Sequence, residues 1–180
     1  LPMAGDINGD GLDDLIFFSP AQGCFNLAEN DHLSFRPLIG GTVLTDKEWD
    51  VRPLAGDFNG DHLCDLGLVE RRPGRLGIAL NSGHSFGSFA WQDIGLLKED
   101  CPQKYLPGDY NGDGRADVAV LDTGTGLWRL LLSLNGTLMA DERPWLERWG
   151  AGSDWQALPA DVNGDGKCDI VVHSKDGFWQ

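Results

Sequence analysis

The sequence predicts an all-β chain, and three observations carry that reading. The 25 Gly and nine Pro cluster between short apolar runs, no stretch has helical amphipathic spacing, and one acidic nine-residue segment recurs four times with apolar runs on either side. With 41% apolar residues and seven Trp, the 180-residue chain has enough material to bury a core.

The repeated segment reads Asp6-Ile7-Asn8-Gly9-Asp10-Gly11-Leu12-Asp13-Asp14 in its first copy. It returns from Asp57 to Asp65, from Asp109 to Asp117 and from Asp161 to Asp169, at intervals of 51 to 52 residues. Met3, Leu54, Leu106 and Leu158 each stand three residues ahead of a copy and predict a short strand ending at the loop. Behind the copies come Leu15–Phe18, Leu66–Val69, Val118–Leu121 and Ile170–Val172, short enough to be buried second strands, so each loop joins a hairpin. A Gly-containing turn then leads to a third strand at Gly23–Leu27, Gly74–Leu80, Gly126–Leu132 and, cut short, Gly177–Gln180. A fourth, less regular segment carries Phe35, Trp91, and Trp145 or Trp149.

Three to four short antiparallel strands per ~50 residues is the period of a β-propeller blade. The expected organisation is a single array over 1–180 with repeats at about 1–48, 49–100, 101–152 and 153–180, the last truncated. The array is expected to be an incomplete propeller or part of a larger one, completed by further repeats or by self-association, because a partial ring exposes apolar sheet faces and strand edges.

The loops have the composition of a calcium site. Side chains at positions 1, 3, 5 and 9 and the backbone carbonyl at position 7 offer only oxygen, the donor of a hard cation that takes about six to eight ligands. The candidate ligands are Asp6, Asn8, Asp10, Leu12 and Asp14; Asp57, Asn59, Asp61, Leu63 and Asp65; Asp109, Asn111, Asp113, Arg115 and Asp117; and Asp161, Asn163, Asp165, Lys167 and Asp169. Leu12, Leu63, Arg115 and Lys167 would contribute through their carbonyls. The absence of His and Cys from these positions argues against zinc and copper. Asp, Asn and Gly also favour metal-free turns, but four copies of one ligand pattern point to up to four Ca²⁺ ions. His62 replaces the position-6 glycine of the second loop, and that site is expected to be the weakest. An EF-hand would carry a bidentate Glu at position 12 and continue as a helix; here position 12 is Phe17, Leu68, Val120 or Val172 amid strand-forming residues.

The loop-then-strand unit at this period resembles the FG-GAP and VCBS repeats of integrin α-subunit propellers and of bacterial and fungal extracellular proteins. Leu76–Phe86 is similar to the strand and turn of the bacterial VCBS type. The resemblance implies a calcium-dependent β-propeller, secreted or at the cell surface, with the acidic loop residues as ligands. Function beyond calcium does not follow from the resemblance; the leading expectation is a binding or adhesive module for a glycan or an extracellular protein. The alternatives are a calcium-rigidified spacer, shell or fibre subunit, or an accessory module of a secreted polysaccharide-degrading enzyme or toxin.

Other classes are disfavoured. A net charge of −14 lacks the basic footprint that nucleic acid requires. No run approaches the ~20 apolar residues of a membrane span, so no membrane insertion is expected, and any export signal is expected upstream of Leu1. His32, His62, His84 and His173 stand in unrelated contexts without triad partners, and no enzyme activity is expected. Cys24, Cys64, Cys101 and Cys168 match neither a zinc site nor a redox pair, and their pairing stays open between free and partly bridged thiols. Trp128 and Trp179, at near-equivalent third-strand positions, are expected in blade cores. Trp49, Trp91, Trp145, Trp149 and Trp155 lie near strand ends, where stacking on sugar and packing are both open. Asn135-Gly136-Thr137 fits a glycosylation acceptor.

Overall fold

A computed structural model describes residues 1–38, 51–72, 74–83, 85–95, 102–141, 143–152 and 154–179. The described residues form three four-stranded antiparallel sheets and one two-stranded sheet, with no helix. Blade 1 runs β1 (Pro2–Gly5), β2 (Asp14–Ser19), β3 (Cys24–Asn30), β4 (Phe35–Leu38). Blade 2 runs β5 (Val51–Gly56), β6 (Asp65–Glu70), β7 (Arg75–Ala79), β8 (Ala90–Asp93). Blade 3 runs β9 (Gln103–Gly108), β10 (Asp117–Asp122), β11 (Leu127–Leu134), β12 (Thr137–Ala140). Blade 4 is the hairpin of β13 (Trp155–Ala160) and β14 (Asp169–Ser174). Within each sheet the strands pair in chain order.

The first strands β1, β5, β9 and β13 neighbour one another in succession, as the inner strands of propeller blades do. The sheets form an open series rather than a closed ring. Their apolar residues lie between blades. Ile16, Phe18 and Phe25 meet Leu66 and Leu68 across the first junction. Leu54, Val69 and Ile78 meet Val118 and Val120 across the second, and Leu121 and Trp128 meet Ala157 and Val172 across the third. The middle strands β6 and β10 are buried on both faces, which explains why they read as unbroken apolar runs rather than alternating ones.

Three expectations are corrected. The fourth strand of blade 3 is β12, ahead of Trp145 and Trp149; Asn135 and Gly136 form a tight turn with both φ positive (51° and 81°), which returns the chain at once along β11. The Trp145 segment adds no strand to the sheet; it meets it through an isolated bridge between Trp128 and Leu146 and through Trp149, whose carbonyl accepts from Trp128 Nε1. In blade 4 the described residues from Gly177 to Trp179 form no third strand, only a bridge between His173 and Trp179. Trp179 is accordingly exposed, with its ring against His173, whereas Trp128 is fully buried as expected. Among the strand-end tryptophans, Trp91 and Trp155 are half-buried, Trp149 packs on Trp128, and Trp145 is exposed beside Tyr110. Trp49, His84 and Cys101 lie outside the described residues. Cys24, Cys64 and Cys168 are free thiols, and burial pushes that of Cys64 up to about 12.

Candidate functional site: four acidic loops

Each loop joins the first two strands of its blade, and all four adopt the same internal geometry. In the first, both oxygens of the position-1 carboxylate are gripped by amides: Gly9 and Asp10 donate to Asp6 Oδ1 at 2.7 and 3.2 Å, and Gly11 donates to Oδ2 at 2.8 Å. Asp10 also donates to Asn8 Oδ1 at 2.9 Å, and Leu12 donates to Asp10 Oδ1 at 2.9 Å. The same bonds recur on Asp57, Asn59 and Asp61, on Asp109, Asn111 and Asp113, and on Asp161, Asn163 and Asp165. Positions 4 and 6 take positive φ to make this path; His62 does so at 68°, close to the 84° of Gly11.

Positions 1, 3 and 5 are thus drawn together around shared amides. Position 9 is placed differently. Asp65 is fully buried, with Oδ2 accepting from Phe58 N at 2.9 Å and Oδ1 from Asn81 N at 2.7 Å. Asp14 accepts likewise from Ile7 and Asn30, and Asp117 from Tyr110 and Ser133. Asp169 accepts from Val162. In the first three blades this aspartate ties the loop to the end of the third strand. Among the described residues no three His, Cys, Asp or Glu side chains converge as a metal cluster, in keeping with the position-9 carboxylates being held by amides.

The position-7 residues Leu12, Leu63, Arg115 and Lys167 donate their amides to position 5, and Arg115 adds a guanidinium 2.5 Å from Asp113 Oδ2. The third loop therefore carries its own cation on a candidate ligand. Burial pushes the carboxyls of Asp65 and Asp117 up to about 6, against the pull of their amide donors and with the neighbouring loop aspartates adding to the rise. A cation in the loop would oppose that shift. The donor set fits a hard cation: it is all oxygen, and each carboxylate oxygen that accepts one amide retains a further lone pair.

The loops are also stitched to one another. Cys64 N donates to Asp6 O, Ala116 N to Asp57 O and Cys168 N to Asp109 O, each at 2.6 Å. Position 8 of one loop therefore binds the position-1 carbonyl of the loop before it. Asn81 Nδ2 reaches Ile7 O at 2.8 Å, and Ser133 Oγ reaches Phe58 O at 2.5 Å. The ligand list overlooks these residues, although Asn30, Asn81 and Ser133 each follow a position-9 aspartate by 16 residues. A cleft of about 350 Å³ lies among the first strands, with Arg52, Lys104 and Tyr105 in its lining.

Residues 109–172 match the family model of the FG-GAP-like repeat. A T-cell immunomodulatory protein homolog of Plasmodium falciparum (isolate 3D7) is 26% identical over 204 residues, covering 93% of this chain and 28% of its own length. Among solved structures, an Agrocybe aegerita lectin, described for specific recognition of non-reducing terminal N-acetylglucosamine, matches with a TM-score of 0.69 at 22% identity. That match covers 95% of this chain and 45% of the lectin chain. The chain thus spans less than half the length of either protein.

Proposed function

We propose that this chain, which carries an FG-GAP-like repeat, is a non-catalytic β-propeller binding module whose four loops each hold one calcium ion. The carrying observation is the fourfold recurrence of one oxygen-only loop in one hydrogen-bonded geometry. Asp6, Asn8 and Asp10 and their counterparts would supply the drawn-together ligands, with the position-7 carbonyl and the position-9 carboxylate completing the set. Bound calcium supplies charge neutralisation. The chain supplies the amide cage that orients the ligands and the amide-to-carbonyl steps that join one loop to the next. Loops of this kind fill at the millimolar calcium found outside cells, which supports a secreted or cell-surface location.

The partner class is a glycan or an extracellular protein. The likeness to a lectin fold supports the glycan reading, and the first-strand cleft, which sets Arg52, Lys104, Gln103 and Tyr105 beside apolar residues, has the size of a small-ligand site. A glycan array that includes N-acetylglucosamine-terminated chains, probed in calcium and in chelator, tests this. Calcium-dependent retention of a defined glycan class is expected. An array without signal in either condition would overturn the glycan reading and leave a protein partner or the spacer role.

A further inference from the structure

Residues 7 to 9 of a loop face two ways. The position-7 carbonyl and the position-9 carboxylate are candidate ligands of their own loop, while the residue between them reaches back to the loop before. At all three junctions the position-8 amide, that of Cys64, Ala116 or Cys168, donates at 2.6 Å to the carbonyl of Asp6, Asp57 or Asp109. The side chain of that same aspartate is position 1 of the earlier loop.

The position-7 side chain makes a second contact in the same direction. A Cβ built on Gly9, position 4 of the first loop, would stand 3.1 Å from Leu63 Cδ2. One on Gly60 would stand 3.1 Å from Arg115 Cγ, and one on Gly112 would stand 3.0 Å from Lys167 Cε. Leu, Arg and Lys thus lie in the same way over the position-4 glycine of the preceding loop. The amide of that glycine grips the position-1 carboxylate at 2.7 Å in each case. A third contact starts at position 9 in the first two junctions. Asp65 holds Asn81 N and Asp117 holds Ser133 N, and the side chains of Asn81 and Ser133 bind the position-2 carbonyls of Ile7 and Phe58.

We infer that the loops fill cooperatively, each occupied loop raising the calcium affinity of its immediate neighbours through residues 7 to 9 of the later loop. This rests on the calcium reading of the loops. A cation that fixes the position-7 carbonyl and the position-9 carboxylate also fixes the amide between them, and so holds it on the neighbour's position-1 backbone. Together with the position-7 side chain, that contact sets the turn that presents the neighbour's first carboxylate. Part of the ordering that the neighbour needs in order to bind is then already done. Coupling of this kind is reciprocal, so the earlier loop supports the later one equally. The contacts join successive loops, so the effect is strongest between nearest neighbours, as in other repeat arrays. It acts through occupancy: a substitution that alters only one loop's own affinity leaves the intrinsic constants of the others as they were.

Calcium titration of the 180-residue chain, followed by the NMR amide signals of Gly9, Gly60, Gly112 and Gly164, is the test, since each loop carries one of these glycines. In the unmodified chain the signals should move more steeply than a one-site curve. Asp61→Asn takes the charge from a candidate ligand of the second loop and keeps an oxygen for the Leu63 amide. Read at calcium concentrations where the Gly60 signal has not moved, the midpoints of Gly9 and Gly112 should rise by about fivefold or more, the lower end of typical coupling. The shift should be smallest at Gly164, two loops away. Signals that stay still at every calcium concentration sink the calcium reading and the coupling with it. Binding in which Asp61→Asn leaves Gly9 and Gly112 unmoved keeps the calcium reading and overturns the coupling. So does an equal shift at all three signals, which a general loosening of the fold would give.

Discussion

The amide of Cys64 donates to the carbonyl of Asp6 across the first junction at 2.6 Å. Cys64 is at position 8 of the second loop and Asp6 is the first candidate ligand of the first loop, so the residue that would hold a cation is also the one that holds the next blade. The pattern recurs from Ala116 to Asp57 and from Cys168 to Asp109. Loop geometry and blade docking are therefore one structure.

Asp65→Ala should destabilise the fold even in chelator. It removes the acceptor of two buried amides, Phe58 N and Asn81 N. Leaving such donors unpaired costs about 1–3 kcal/mol each. Urea unfolding in excess chelator measures it; an unchanged midpoint would assign Asp65 to the cation alone.

Gly56→Ala should cost about 1–3 kcal/mol by overpacking the second junction, because the new Cβ meets that of Ala116 at 2.8 Å. Gly56 has no positive φ, so the contact is the whole effect. Ala116→Gly in the same chain should return most of the loss. A double-mutant cycle without coupling between the two sites would contradict the packing described here.

His62→Gly should stabilise the second loop by about 1 kcal/mol, the lower end of the cost of left-handed backbone for a side-chain-bearing residue, since His62 sits at φ 68°. Calcium titration of the variant should show one site tightened and three unchanged.

Arg115→Leu should tighten the third loop about two- to fivefold, in proportion to the worth of a partly exposed ion pair. The guanidinium lies 2.5 Å from Asp113 Oδ2 and competes with a cation for that carboxylate, whereas the first two loops have leucine at this position. Titration calorimetry checks it, and unchanged affinity would mean that the arginine swings aside at no cost.

The loops and the strands flanking them were legible because their signals are local. The acidic nonapeptide, the apolar run behind it and the leucine or methionine three residues ahead lie within about twenty residues of one another. The end of blade 3 is hard to read for a local reason as well: Asn135-Gly136 is a tight-hairpin signal, but it also belongs to a glycosylation triplet, and Trp145 and Trp149 are stronger apolar markers than the short Thr137–Ala140. Trp179 matches Trp128 in its repeat position, which predicts a core residue. Burial of Trp128, however, depends on the Trp149 segment folding over it, and among the described residues no such segment covers Trp179. The stitches between loops join residues more than fifty positions apart, from Cys64 to Asp6 and from Ser133 to Phe58. Nothing in residue type announces them, since a backbone amide and a carbonyl occur at nearly every position.

Thermal unfolding of the chain in millimolar calcium and in excess chelator tests the central claim, that the four loops are calcium sites integral to the fold. A site with calcium at ten times its dissociation constant gains about 1.4 kcal/mol, so four filled loops should raise stability by about 5–6 kcal/mol and move the melt upward by many degrees. Coincident melts in calcium and in chelator would contradict the account.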